Sequence, residues 1–385
     1  MSELVEGPRI LHVVPRVVRR GAEVFAAQLA DALQPVSQNL LFPLFGPAEG
    51  TPAAPVRVVG GARRAGVIEQ RTGVDPGALA RMRAGVHRLR PDLVVAHGGE
   101  PLKYAVLADP RGRVPLAYRK ISHTVDGRGQ RGLRALLSRP QVVLAVSEGL
   151  KRELVESYGV DSRRVVVIPT SRRALPRLTE AERRKTRMAI GAHPERPLLA
   201  WAGRLSREKR PDHALRVFAL VRSRLGPCGL ALCGSGPLGR PIEAAAVAAG
   251  PGLLMLGSSD DADRIIASAD LLLSTSEIEG APGVLVEAGL SGVPAVAFDV
   301  GEVREIVRDG ETGILIPPGD IEMMADAATK LIQDADRRTE MGRSAREACA
   351  PRRLETAVVR YADTFADLLG PRGQTLRRLG ESSVS

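Results

Sequence analysis

Short runs of β-branched and other apolar residues alternate along this chain with stretches whose apolar positions recur every three to four residues. In the first half the runs are Arg9–Pro15, Asn39–Phe45, Val56–Gly60, Leu93–His97, Pro115–Ile121, Gln141–Val146 and Val165–Pro169, with helical stretches at Ala22–Leu33 and Glu148–Tyr158. In the second half they are Leu198–Ala202, Leu230–Cys233, Leu253–Leu256, Leu271–Ser274, Ala295–Phe298 and Gly313–Ile316. The helical stretches there are Pro211–Leu225, Pro237–Ala249, Ala262–Ala267, Val284–Ser291 and Ile321–Gln333. Uninterrupted apolar runs predict strands covered on both faces, and the helices between them predict parallel pairing. The alternation occurs twice, so the expectation is an α/β protein with two doubly wound sheets.

Length agrees, because 385 residues exceed the roughly 100–200 of one ordinary domain. The polar, basic stretch Thr170–Thr179 and the charged helix predicted over Glu180–Ile190 mark a boundary. The predicted organisation is a first domain over 1–175, a hinge over 176–196 and a second domain over 197–350. A last helix, Arg352–Leu369 within 351–370, would pack back on the first domain, and 371–385 would form a mobile tail.

Composition narrows the class. With 44% apolar and 26% charged residues the chain reads as an ordinary globular protein. Its apolar runs fall far short of the roughly 20 residues that cross a bilayer. The acidic start, Met1 to Pro8, has no apolar signal core, so a cytoplasmic location is expected. Cys228, Cys233 and Cys349 show neither metal-ligand nor disulfide spacing. Charge is one-sided: Met1 to Glu180 holds 28 Lys+Arg against 16 Asp+Glu, and the remainder 27 against 28. A field of that kind draws an anionic partner. Aromatic content of 3% leaves little on which bases could stack, so nucleic acid is not the expected partner.

Ligands of doubly wound sheets bind where strand ends lead into helices. Two such places carry chemistry. After the first strand of the second half, Gly203 is followed by Arg204 and Lys209, permanent cations where a diphosphate would lie. After a later strand, Glu279 and Glu287 flank a turn with Gly280, Ala281, Pro282 and Gly283, ahead of a helix that includes Val284. Exposed amides there suit phosphate, and the carboxylates suit sugar hydroxyls.

The order of these and other short segments resembles the retaining family 4 glycosyltransferases of the GT-B fold, two Rossmann-like domains facing across a cleft. The matching pieces are Gly21-Ala-Glu23, Ser122-His123-Thr124, Val146-Ser-Glu-Gly-Leu-Lys151 and Gly203–Lys209. Gly234–Leu238, the Glu279/Glu287 pair, Gly292-Val-Pro294 and Asp309–Gly313 complete the set, which extends to about Gln333. The resemblance implies a nucleotide-sugar donor, retention of anomeric configuration and no metal or other cofactor. It implies that Arg204 and Lys209 neutralise the donor diphosphate, Glu279 holds the sugar and Glu287 the ribose. Amides at Gly280, Ala281, Gly283 and Val284 would touch the donor, Gly21 would let the first loop approach the phosphates, and His123 would reach the reacting centre. UDP is favoured over GDP as the donor nucleotide.

The chain departs from the family at Arg19-Arg20 ahead of Gly21, at Pro169-Thr-Ser-Arg-Arg173, and at Ala281-Pro282 in place of an aromatic. The basic first half points to an anionic or lipid-linked acceptor, with peripheral contact to an anionic membrane. Candidate contacts are Arg16, Arg19, Arg20, His97, Arg119, Lys120, Arg128 and Arg131. His12 reads as a core or supporting residue, and His87, His193 and His213 as solvated. Asp261-Ala-Asp263 looks superficially like a metal-binding pair but sits ahead of a helix, where Asp suits the dipole.

Rival readings remain in view. Gly234-Ser-Gly-Pro-Leu-Gly239, with Asp260 beyond it, matches the dinucleotide fingerprint and would make the chain an NAD-dependent oxidoreductase. However, it follows the second strand of its sheet, not the first. A sugar-nucleotide epimerase or phosphorylase would share the double fold. A noncatalytic protein docking on anionic surfaces would have no need of Glu279 and Glu287.

Overall fold

Strands with no polar face need a cover on each side, and the chain supplies helices for both. The computed structural model describes residues 7–17, 21–45, 54–59, 73–122, 130–259, 261–280 and 282–381. It divides into two compact units, one running to Pro169 and resuming at Leu354, the other spanning Thr170–Arg353. The boundary thus falls ahead of the expected hinge, and 176–196 belongs wholly to the second unit.

The first unit contains β1 (Arg9–Val14), α1 (Gly21–Ala32), β2 (Gln38–Pro43), β3 (Arg57–Val58), α2 (Pro76–Leu89) and β4 (Leu93–His97). It continues with α3 (Gly99–Ala108), β5 (Leu116–Lys120), α4 (Gln130–Leu137), β6 (Val142–Ala145), α5 (Glu148–Arg152) and β7 (Val165–Val167). The strands form one parallel sheet in the order β3-β2-β1-β4-β5-β6-β7. Beyond α5 the expected straight helix widens to a π turn over Glu153–Ser157.

The second unit opens with α6 (Glu180–Ala189), β8 (Leu198–Ala202), α7 (Pro211–Leu225), β9 (Gly229–Cys233), α8 (Gly239–Ala249) and β10 (Leu253–Gly257). Then come α9 (Ala262–Ser268), β11 (Leu271–Ser274), α10 (Gly283–Ser291), β12 (Ala295–Phe298), β13 (Gly313–Ile316), α11 (Ile321–Gln333) and α12 (Ala335–Cys349). This sheet too is parallel, in the order β10-β9-β8-β11-β12-β13. Its residues sort by the two-residue strand period. Leu199, Trp201, Leu230, Leu232, Leu271 and Leu273 enter one core, while Leu198, Ala200, Ala231, Cys233 and Leu272 enter the other.

Helix α6, in the expected hinge, is fixed by a capping box between Thr179 and Glu182 and by its own arginines. Arg187 Nη2 lies 3.0 Å and Arg183 Nη2 2.9 Å from Asp270, whose other bond caps the Leu198 amide at 2.8 Å. Sequence periodicity missed α3, α4 and α12. In α12 only Met341, Gly342, Ala345 and Cys349 are buried, a narrow stripe of mostly small residues on an otherwise charged helix.

The chain then returns to the first unit. α13 (Leu354–Leu369) buries Leu354, Ala357, Val358, Tyr361, Ala362, Phe365 and Leu369 against Phe25, Leu29 and the strands. The expected mobile tail is not observed over its described part. Gly370–Arg377 forms a 3-10 helix followed by α14 (Arg378–Glu381), and Leu376 is fully buried in the same core. Two leucines three residues apart, Leu376 and Leu379, are too few to register as a period, yet they suffice where α13 offers a finished apolar face. Leu376→Ala should cost about 3 kcal/mol in unfolding free energy, as buried leucines do. A urea midpoint for the first unit that does not move would refute this packing.

Candidate functional site

In the second sheet the chain winds outward from β8 through β9 to β10, then restarts at β11 and winds the other way. The carboxyl ends of β8 and β11 therefore send their loops to opposite sides and leave a gap between them, the usual ligand position in such sheets. The candidate residues Arg204 and Lys209 follow β8, and Glu279 follows β11.

Polar bonds tie the two loops together. Thr275 accepts from the Trp201 indole at 3.0 Å and donates to the carbonyl of Arg210 at 2.8 Å. The Glu277 amide donates to Glu208 O at 2.8 Å, and the Arg210 guanidinium pairs with Glu277. Within this frame Lys209 Nζ lies 2.6 Å from Glu279 Oε1, and Ser276 Oγ donates to the same oxygen at 2.6 Å. Glu279 is buried, and Lys209 keeps about a quarter of its side chain exposed. Arg204 is exposed, and its guanidinium makes no hydrogen bond or ion pair with a described residue.

Downstream, α10 begins at Gly283 with Pro282 before it and no side-chain cap. Its first amides are left for water or a ligand. Gly280 and Val284 are half-buried, Gly283 is buried and Ala281 lies outside the described residues. Glu287, one turn in, accepts from Arg172 Nε at 2.7 Å. Burial raises its carboxyl above the usual range, against the pull of the Arg172 charge.

The acceptor-side expectations divide. His123, Arg19, Arg20 and Arg128 lie outside the described residues. Gly21 opens α1 and is exposed, and Arg16 is half-buried. Arg119 and Lys120 are not surface contacts: both are only 3% exposed. As neighbours on one strand they point to opposite faces. Arg119 stacks on Phe25 at 4.0 Å and donates to Tyr361 Oη at 3.0 Å, whereas Lys120 pairs with Glu153 at 3.2 Å. His97 is buried too. Its Nε2 is 3.1 Å from His12 Nδ1, and His12 Nε2 is 3.1 Å from Asn39 Oδ1. The Asn39 amide is oriented by donating to Ser37 O and Oγ. Its oxygen must then accept, so His12 carries its proton on Nε2 and His97 on Nε2. His213, expected to be solvated, is buried edge-on against Phe298.

Two family models match. One described as Glycosyl transferases group 1 spans residues 182–348, and one described as Glycosyltransferase Family 4 spans 19–171. The chain belongs to the family 4 glycosyltransferases. Among curated relatives of the family, a D-inositol 3-phosphate glycosyltransferase from Nocardia farcinica is 32% identical over 222 residues, 55% of this chain and 49% of that protein. An N-acetyl-alpha-D-glucosaminyl L-malate synthase from Bacillus anthracis is 36% identical over 118 residues, 30% of this chain and 31% of that one. The matched stretch thus spans half or less of these relatives' length. Anabaena HepE, solved with UDP-glucose, matches at a TM-score of 0.77 and 21% identity, covering 94% of this chain and 100% of that one. That likeness gives this family 4 member the GT-B fold.

The fold also explains the dinucleotide-like loop. A side chain on Gly234 would meet Gly203 O at 1.8 Å, and one on Gly236 would meet Leu205 O at 2.5 Å. The glycines serve to let the β9 loop lie against the β8 loop, where Leu205 N donates to Ser235 O at 3.0 Å. Sequence reasoning missed Arg172, Thr275, Ser276 and Arg210. Ser276 and Thr275 sit within four residues of Glu279 and were open to notice as hydroxyls at a strand end. Arg172, 115 positions from Glu287, carried no local signal.

The two buried histidines of this family 4 protein generate a pH dependence. Burial lowers His12 from 6.5 to about 4 and holds His97 well below its ordinary value. The unfolded chain takes up these protons first, so stability is full above pH 6.5 and declines as pH falls from 6.5 toward 4. His12 alone should cost roughly 3 kcal/mol over that window. A His12→Leu/His97→Leu variant should be less stable at neutral pH but lose the slope. Parallel pH profiles for the two proteins would refute the assignment.

Proposed function

We propose that this chain is a retaining glycosyltransferase that moves a hexosyl group from a nucleoside-diphosphate sugar, UDP in preference to GDP, to an anionic or lipid-linked acceptor. The observation that carries the reading is the Lys209–Glu279 contact of 2.6 Å at the gap between β8 and β11, with the exposed Arg204 in the β8 loop beside it. A sugar nucleotide needs a cation for its phosphates directly beside a carboxylate for its hydroxyls, and this arrangement supplies both. HepE, solved with UDP-glucose on the same fold, favours UDP.

In this reading Arg204 and Lys209 stabilise charge on the departing diphosphate, which is the main catalytic contribution. The bond from the sugar's anomeric carbon to the phosphate oxygen breaks as the acceptor oxygen bonds to the same face. The acceptor proton passes to the leaving phosphate, so no covalent nucleophile and no metal are required. Glu279 orients the sugar, Glu287 the ribose, and the α10 amides at Gly283 and Val284 meet the phosphates. His123, by the family resemblance, completes the reacting centre.

The acceptor reading rests on the basic first half and on the names of two relatives, which carry inositol 3-phosphate and malate, both anions. The reading places the enzyme in the cytoplasm, at the inner face of the membrane where the acceptor is lipid-linked. Among the described residues no helix is long and apolar enough to cross a membrane.

Thermal shifts with UDP, GDP, ADP, their sugar conjugates and NAD(P) test the donor. At a hundred times Kd a true ligand adds about 2.7 kcal/mol. UDP and its sugars should raise the melting temperature, Glu287→Ala should remove most of the rise, and Lys209→Ala should weaken binding by about tenfold or more, as charged hydrogen bonds do. Stabilisation by NAD(P) alone would sink the proposal.

A further inference from the structure

One strongly placed cation of the second unit, Arg172, has so far appeared only as the partner of Glu287. Arg172 is 9% exposed and comes from the segment that enters the unit, not from a strand-end loop of the sheet. Its backbone is held by a bond from its amide to Arg352 O at 3.0 Å and by a parallel bridge to Arg353. The side chain is held twice more. Nε donates to Glu287 Oε1 at 2.7 Å, and Nη1 donates to Ser171 O at 3.0 Å.

We propose that Arg172 is a further donor-binding residue, which fixes the Glu287 carboxylate and presents its remaining N–H groups to the diphosphate at the first turn of α10. The inference rests on the reading of Glu287 as the ribose ligand. Nη2 has no hydrogen-bond partner among the described residues, and it lies against Gly283: a side chain on that glycine would sit 1.8 Å from it. Gly283 is the first residue of α10, whose amides no side chain caps. A glycine here therefore makes room for a guanidinium, already paired on its Nε side with Glu287, beside a helix N-terminus of the same sign, a setting that favours a further anion. Phosphate fits that demand, because guanidinium meets it with two parallel donors.

The geometry also gives Glu287 a fixed pose. A carboxylate has two oxygens, and Arg172 occupies Oε1, which leaves Oε2 for ribose hydroxyls. Burial raises the Glu287 carboxyl above its ordinary range, and the neighbouring Arg172 charge opposes that rise. Arg172 thus acts on the ribose through Glu287 and on the phosphates directly. The two roles separate experimentally, because a nucleoside has the first contact and not the second.

The test is calorimetric Kd values for UDP and uridine, with GDP and guanosine alongside, on wild type, Arg172→Met, Arg172→Lys and Glu287→Ala. Charged hydrogen bonds set the expected scale. Arg172→Met should weaken the nucleoside diphosphate by about thirtyfold and its nucleoside by no more than about threefold. Arg172→Lys should recover part of the diphosphate loss, and it gives the same ratio should the Met variant fail to fold. Equal losses for nucleoside and diphosphate, or an unchanged diphosphate Kd, would overturn the inference while leaving the donor site intact. Glu287→Ala should weaken nucleoside and diphosphate together. If it leaves both unchanged, or if wild type binds none of the four, the donor-site reading itself has failed and this inference falls with it.

Discussion

A parallel sheet that winds in both directions must have one pair of neighbouring strands whose crossovers depart to opposite faces. In the second unit that pair is β8 and β11, and the polar candidates follow from it. The loops that follow these strands bond to each other. Thr275, Glu277 and Arg210 make those bonds, and Trp201, from β8 itself, anchors Thr275 from within the core. The loops are therefore set before any ligand arrives, which is what preorganised charge stabilisation requires.

Burial imposes the second constraint. Glu279 is buried and Glu287 half-buried, and a carboxylate taken out of water is costly without a compensating partner. Each has a cation at 2.6–2.7 Å, from Lys209 and from Arg172 respectively. The partners come from different parts of the chain, one from the β8 loop and one from the entry segment. A chain that needed only solvated acids at a turn would have no reason to bring either. The same constraint gives a different result in the first unit, where burial lowers His12 and His97 and the two rings bond directly to each other, with Asn39 on the far nitrogen of His12.

Much of this was legible in the sequence, and the reason is periodicity. Strands such as Leu93–His97 and Leu271–Ser274 are buried throughout and apolar up to their last residue because both faces are covered, and helices such as Pro211–Leu225 and Ile321–Gln333 start at a proline or behind an aspartate cap and carry broad apolar faces. Lys209 and Glu279 were legible as strand-end chemistry, but their contact was not, since sequence carries no distance across 70 positions. Arg119 and Lys120 misled because charge is ordinarily exposed. Here a π face, a tyrosine hydroxyl and a buried acid take the place of water. Arg172 was visible only as a departure from a familiar hinge sequence, with nothing local to show that Glu287 awaited it.

Those departures bear on how the site is built. A glycine at 283 and an arginine at 172 make sense only together, because any side chain at 283 would displace the guanidinium from the start of α10. The same holds for Gly234 and the Gly203 carbonyl, where the absence of a side chain on one loop sets the position of the next. In both cases the fold spends a glycine to bring backbone or charge to the edge of the gap between β8 and β11. The Gly234 contact accounts for a dinucleotide-like motif without a dinucleotide. The Gly283 contact places a cation, itself fixed by Glu287 and the Ser171 carbonyl, beside uncapped amides that favour an anion.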